Sequence, residues 1–152
     1  MSRINLEALN LPDHFIRHSA FLGELNKLDN LVEDFAFTLV GRGSGRVSIR
    51  SVNFPDRLLR HRDSRIRLED RAAPNPQLFD VDSTFFFEKG LADPEGVSFR
   101  SVNIENHYLR HRDFHLFLEH RDSANLAPDA TFFRRPAAVL IDNGPELIPA
   151  DD

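Results

Sequence analysis

The chain has 152 residues, enough for one domain around a single core, with 41 % apolar and 28 % charged residues, the balance of a globular protein. A formal charge of −5 and an isoelectric point near 5.8 argue against general binding to nucleic acid or an anionic membrane. Zero cysteines remove any disulfide framework, thiolate nucleophile or thiolate metal site.

In chain order, the opening MSRINLEALN holds no apolar signal core, so it carries no visible export address. No apolar run reaches the length of about 18 residues that spans a bilayer. Ile4, Leu6 and Leu9 alternate, which predicts a short strand with one buried face. A turn signal, Asn10-Leu-Pro-Asp13, precedes a second apolar segment ending in Arg17-His18. After the glycine-rich Gly41–Gly45 the pattern returns: Val47, Ile49 and Val52, then Asn53-Phe-Pro-Asp56, then Leu58-Leu-Arg-His61. The next strand is Arg65-Ile-Arg-Leu-Glu69, with Ile66 and Leu68 inward, and Asp82-Ser-Thr-Phe85 opens a fourth segment with its run of three phenylalanines. A second loop, Gly90–Gly96, leads to the same order once more, from Val97 to Asp129-Ala-Thr-Phe132. No helix is predicted. The tail holds one apolar run, Ala138–Ile141, expected to add a closing strand before a loose end.

These segments are copies. Arg50–Glu69 reads RSVNFPDRLLRHRDSRIRLE, and fifty positions later Arg100–Glu119 reads RSVNIENHYLRHRDFHLFLE, identical at eleven of twenty positions. About one identity is expected by chance. A third, worn copy, LNLPDHFIRH at Leu9–His18, matches VNFPDRLLRH at Val52–His61. Three units of four short strands predict a β-trefoil with pseudo-threefold symmetry, since the rival propeller usually needs at least four blades. We place the domain at 1–137, the repeats at about 4–45, 46–95 and 96–137, and a tail at 138–152.

Each copy ends its second strand with a histidine, His18, His61 or His111, and opens its fourth with an aspartate, Asp34, Asp82 or Asp129. The pattern SVN-x-P-D-x-x-L-R-H-R-D followed by D-(A/S)-T-F resembles the arabinofuranose-binding (AbfB) domain of α-L-arabinofuranosidases, carbohydrate-binding module family 42. The resemblance covers about residues 4–136 and is distinctive in copies two and three. It implies a β-trefoil that binds arabinofuranose side chains of arabinoxylan and arabinan, with His61 and Asp82 in one pocket and His111 and Asp129 in another. A carboxylate accepts two vicinal hydroxyls and a neutral imidazole donates one bond and accepts another, which suits a ligand made of hydroxyls.

Fungal members of that family often carry an aromatic residue after the motif histidine, where this chain has Arg62 and Arg112. A guanidinium plane, or Phe114 and Tyr108 in copy three, would then supply the pocket wall. Copy one departs furthest, and His18 and Asp34 are expected to keep the fold rather than a pocket. On the residue pattern alone the histidines read as structural; the resemblance turns that toward a ligand role. Asn53 and Asn103 are expected to tie down their turns, and Arg60 and Arg110 to pair with Asp63 and Asp113. His111, His115 and His120 are badly spaced for a metal on a strand. One carboxylate per pocket, where glycoside hydrolysis takes two, points to a non-catalytic module without cofactor. The expected partner is arabinose-substituted polysaccharide, bound by a monomer, with no nucleic acid and no membrane. The resemblance implies an extracellular setting. Two other readings stay open: a protein-interaction trefoil with decayed pockets, and the binding fragment of an α-L-arabinofuranosidase.

Overall fold

The structure, a computed structural model, describes residues 2–72, 74–141 and 144–147. The predicted alternations become strands. The first unit contributes β1 (Ile4–Ala8), β2 (His14–Ser19), β3 (Leu22–Lys27) and β4 (Phe37–Gly43). The second contributes β5 (Arg46–Ser51), β6 (Arg57–Arg62), β7 (Arg65–Asp70) and β8 (Phe85–Lys89). The third contributes β9 (Val97–Ser101), β10 (His107–Arg112), β11 (His115–His120) and β12 (Phe132–Pro136). The all-β class follows from the period-two pattern.

Two layers result. Strands β1, β4, β5, β8, β9 and β12 pair in that order, and β12 returns to β1, which closes a ring. The hairpins β2–β3, β6–β7 and β10–β11 each join the ring through their first strand. Their second strands pair with one another, β3 with β7, β7 with β11 and β11 with β3. Every hairpin turns through two residues of positive φ: Ala20-Phe21, Asp63-Ser64 and Asp113-Phe114. That is the turn whose twist matches the strands it joins, adopted here without a glycine.

The core lies inside the ring and under the hairpins. Like positions of the three units fill it: Leu6, Ile49 and Phe99; Ile16, Leu59 and Leu109; Leu25, Leu68 and Leu118; Phe37, Phe85 and Phe132. Phenylalanine supplies the largest fully buried rings, as the composition implies.

Two expectations are corrected. The loops before the fourth strands are helical: a 3-10 turn at Val32–Phe35, α1 at Pro76–Asp82 and α2 at Leu126–Asp129. Helix α1 starts on Asn75, whose side chain accepts the Leu78 amide at 3.1 Å, and Pro76 pre-sets the first turn. So Asp82 and Asp129 end helices, and the strands begin at Phe85 and Phe132. The tail run also differs. Strand β13 (Ala138–Ile141) pairs only with β14 (Gly144–Leu147), as a separate hairpin rather than a closing strand of the ring. The expected loose end, 148–152, lies outside the described residues.

Where β3, β7 and β11 meet, like positions hold Gly23, Ile66 and Leu116. A Cβ on Gly23 would stand 3.0 Å from Leu116 Cδ1 and 3.1 Å from Ile66 Cγ2. One unit is empty there because the other two fill the space. Gly23→Val is therefore expected to destabilise by about 1–3 kcal/mol through overpacking. Urea titration checks this, and adding Leu116→Ala should cost less in the Gly23→Val background than alone. Additive costs would contradict the packing account.

Candidate functional site

A buried arginine organises each unit. Arg17, Arg60 and Arg110 precede the three histidines, and each donates Nε–H to the carbonyl of the histidine that follows, at 3.0–3.2 Å. The two remaining nitrogens each take a carboxylate. Arg60 binds Glu69 at 3.0 Å and Asp82 at 2.5 Å, and Arg17 binds Asp29 at 2.9 Å and Asp34 at 3.0 Å. Arg110 binds Glu119 at 2.9 Å and Asp129. The helical segments make this possible: α1 packs on β6, α2 on β10 and the 3-10 turn on β2, delivering each aspartate to its arginine.

The expected Arg60–Asp63 and Arg110–Asp113 pairs do not form. Asp63 and Asp113 sit in the outward hairpin turns, whereas both arginines are buried. Asn53 and Asn103 also do more than close turns. Asn53 Nδ2 donates to Asp34 Oδ1 at 2.8 Å while its Oδ1 faces His18 Nε2 at 2.8 Å. Asn103 bridges Asp82 (2.7 Å) and His61 (3.0 Å), and Asn10 bridges Asp129 (2.5 Å) and His111 (2.7 Å). Each network is thus completed by the following unit, and the third by the first.

The bonding order fixes the proton. A carboxylate held by a guanidinium can only accept, so the asparagine amide donates to it and turns its oxygen to the imidazole. Nε2 of each histidine must then carry the hydrogen, which leaves Nδ1 as the acceptor. Burial lowers the His61 pKa below 6.5, outweighing Asn103 and Asp82, which raise it. Burial lowers His111 as well, against the opposing pull of Asp129. For Glu69 and Glu119, burial acts upward, but their arginine partners together bring both below 4.5.

The histidines are buried. In networks one and three the aspartates reach the surface, with side chains 20 % exposed at Asp34 and 14 % at Asp129, whereas Asp82, at 6 %, is as buried as His61. Each carboxylate has about four lone-pair sites. With arginine and asparagine on two of them, two remain for hydroxyls. Network one, expected to keep only the fold, has the same bonding as the others and the most exposed carboxylate.

Of the wall candidates, Arg62 and Arg112 join the networks at Glu69 and Glu119, whereas Tyr108 and Phe114 take no part in this bonding. Arg62 and Arg112 are half exposed and pair with Glu69 (2.8 Å) and Glu119 (2.9 Å). Tyr108 is buried with Leu126 and Ala130. Phe114 projects from its hairpin turn, with its ring 5.8 Å from His14. The aromatic wall is instead at network one: Phe54 stands edge-on to His18 at 5.4 Å, Phe21 lies 5.3 Å from Phe54, and Arg57 covers Phe21 at 4.3 Å. No sequence signal joined these residues, because Phe21 and Phe54 belong to different units. His115 binds Glu24, and His120 lies 5.3 Å from His107, so neither joins His111.

Three hairpins over a closed ring of strands, each with one Arg–Asp–Asn–His network, define an all-β protein of repeated polar sites. The sequence profile of the Alpha-L-arabinofuranosidase B (ABFB) domain matches residues 1–87 and again 74–144. The chain belongs to the AbfB domain family. No curated protein sequence matches it. An arabinofuranosidase complexed with arabinofuranosyl-α-1,2-xylobiose superposes with a TM-score of 0.79 at 21 % identity, over 90 % of this chain and 31 % of that one. A mutant GH54 α-L-arabinofuranosidase soaked with 4-nitrophenyl α-L-arabinofuranoside gives 0.78 at 21 % identity, with the same coverage. The apo β-trefoil BEL gives 0.66 at 19 % identity, over 88 % of this chain and 91 % of that one. At these identities the likeness is one of fold. The chain spans about a third of the length of the arabinofuranosidases it matches.

The histidine shifts set a pH dependence. Unfolded, His61 and His111 titrate near 6.5; folded, they take up protons only at lower pH. Their contribution to stability is full above about pH 6.5 and is lost as pH falls through the folded values. In a thermal series from about pH 8 to about pH 5, Tm should be level at first and fall below about 6.5. The double variant His61→Gln, His111→Gln should lose much of that slope. An unchanged slope would contradict the assignment.

Proposed function

We propose that the chain is a single β-trefoil domain of three repeats, about 4–45, 46–95 and 96–137, followed by a separate hairpin. It is a non-catalytic carbohydrate-binding module that takes arabinofuranose side chains of arabinoxylan or arabinan. Membership of the AbfB family carries this reading, and the networks supply the chemistry. Asp34, Asp82 and Asp129 accept the vicinal hydroxyls of a furanose, each carboxylate held immobile by arginine and asparagine, so little order is lost on binding. Three like sites suit a branched polymer better than a free sugar. A single pocket of millimolar Kd corresponds to about −4 kcal/mol, and linked sites raise retention by about 10² or more.

The absence of catalysis rests on charge. Each network does hold two carboxylates, one more than the sequence reading assigned. Glycoside hydrolysis needs one of its pair protonated, with a raised pKa. Glu69 and Glu119 are instead shifted downward, with Arg60 and Arg110 holding them as anions. They are built as acceptors, not proton donors.

Affinity electrophoresis through arabinoxylan, debranched arabinan and plain xylan tests the proposal. Retardation by arabinoxylan alone is expected, weakened in Asp34→Asn and Asp129→Asn, whose isosteric amides take away charge with little change in shape. Tm is followed in parallel, because each aspartate also holds a buried arginine. Equal mobility in all three gels would refute arabinofuranose recognition and favour a protein partner.

A further inference from the structure

We propose that a cleft between the last strand of the first repeat and the second repeat, separate from the three networks, binds an acidic sugar of the hexuronate class through its carboxylate. The starting observation is a pattern kept twice and broken once. On β9, Arg100 lies two residues beyond Ser98, which faces Glu88, and its guanidinium binds both Glu88 oxygens at 3.0 and 3.2 Å. On β1, Glu7 lies two residues beyond Asn5, which faces Arg135, and the same pair forms with its charges exchanged, at 2.8 Å. On β5, Arg50 lies two residues beyond Ser48, which faces Val40. The carboxylate that the pattern calls for is missing. Among the described residues the Arg50 side chain has no hydrogen bond or ion pair.

Arg50 borders a cleft of about 580 Å³, also lined by Arg42, Arg46 and Arg71. Arg71 is matched by Asp80 at 2.9 Å. Arg42 binds only the Ser48 hydroxyl (2.9 Å), and Arg46 only the carbonyls of Gly43 (2.9 Å) and Arg42 (3.3 Å). Three guanidiniums therefore converge without a carboxylate partner in a chain of net charge −5. Across the ladder from Arg50, Thr38 keeps a buried hydroxyl without a hydrogen-bond partner and lines a smaller cavity that shares Arg50 and Pro55.

The lining also selects the kind of anion. The cleft is of small-molecule size, larger than an inorganic oxyanion fills. Asp56 lines it too, with no ion pair among the described residues. A bare oxyanion is repelled by Asp56 and Asp80, whereas hydroxyl groups are accepted by them. An anion bearing several hydroxyls satisfies both halves of the lining: its carboxylate meets the guanidinium forks and its hydroxyls meet the aspartates. This assignment does not depend on arabinofuranose binding, because no residue of the three networks lines the cleft.

Isothermal titration with D-glucuronate, D-glucose and inorganic phosphate tests it, on the intact chain and on Arg50→Ala and Val40→Glu. The second substitution supplies the carboxylate found at Glu88 and so occupies Arg50 from within. Glucuronate is expected to bind and glucose not to, and both variants should lose about tenfold or more in affinity, the scale of one charge-assisted bond. Tm of Val40→Glu is expected to hold or rise; if that variant fails to fold, Arg50→Ala, which truncates a half-buried side chain without a hydrogen bond or ion pair among the described residues, carries the test. Glucuronate affinity unchanged in Arg50→Ala would overturn the site. Phosphate binding as tightly as glucuronate would overturn the sugar acid and leave an oxyanion cleft.

Discussion

The buried guanidinium of each unit is the constraint on which the rest depends. Arg17, Arg60 and Arg110 are nearly inaccessible, and a charge in that position must be matched by hydrogen-bonded counter-charges. Each is matched three ways, by its own strand's carbonyl, by a carboxylate near the hairpin and by the aspartate of a helical segment. The helices are short and hold little stability alone. They exist where the aspartate has to arrive. A buried pair of this kind adds little net stability over an apolar substitute, yet removing one partner typically costs about 3–5 kcal/mol. It serves better as a fixed arrangement of acceptors than as a source of folding energy, which is what a hydroxyl-rich ligand requires.

The asparagines turn three local arrangements into one closed cycle. Asn53 serves His18 and Asp34, Asn103 serves His61 and Asp82, and Asn10 serves His111 and Asp129, so the last unit is finished by the first. Against that shared frame the units have diverged where divergence is free. Gly23 yields space to Ile66 and Leu116, Phe54 and Phe21 flank only His18, and Val40 leaves Arg50 uncompensated. Repetition holds the acceptors in place; the differences around them decide what each repeat meets.

Much of this was legible in the chain. Alternation located the strands, the fifty-residue repeat gave the unit, and the recurring Arg-His and Asp residues marked the networks. What escaped has physical causes. Helices of four to seven residues show too little periodicity to be distinguished from loop, although Asn75-Pro76 carried an N-cap signal. Arg60 was matched to Asp63 because they are close in sequence, but a turn residue of positive φ points away from the strand face that buries the arginine. The asparagine bridges cross 35, 42 and 101 residues to their histidines, a distance no local pattern reports. Copy one was read as keeping only the fold because its flanking letters had drifted; Arg17, His18 and Asp34 had not, and Asp29 replaces the carboxylate lost where Asn26 stands in the register of Glu69 and Glu119.

The central claim is that these asparagine-bridged networks are where a furanose binds. The most direct measurement is an NMR titration with methyl α-L-arabinofuranoside, following the side-chain amides of Asn10, Asn53 and Asn103 and the imidazole nitrogens of His18, His61 and His111. The account predicts saturable shifts at these groups, largest at Asn53 and Asn10, whose aspartate partners are the more exposed. Unmoved amide and imidazole signals at full ligand concentration, with the fold intact, would contradict it.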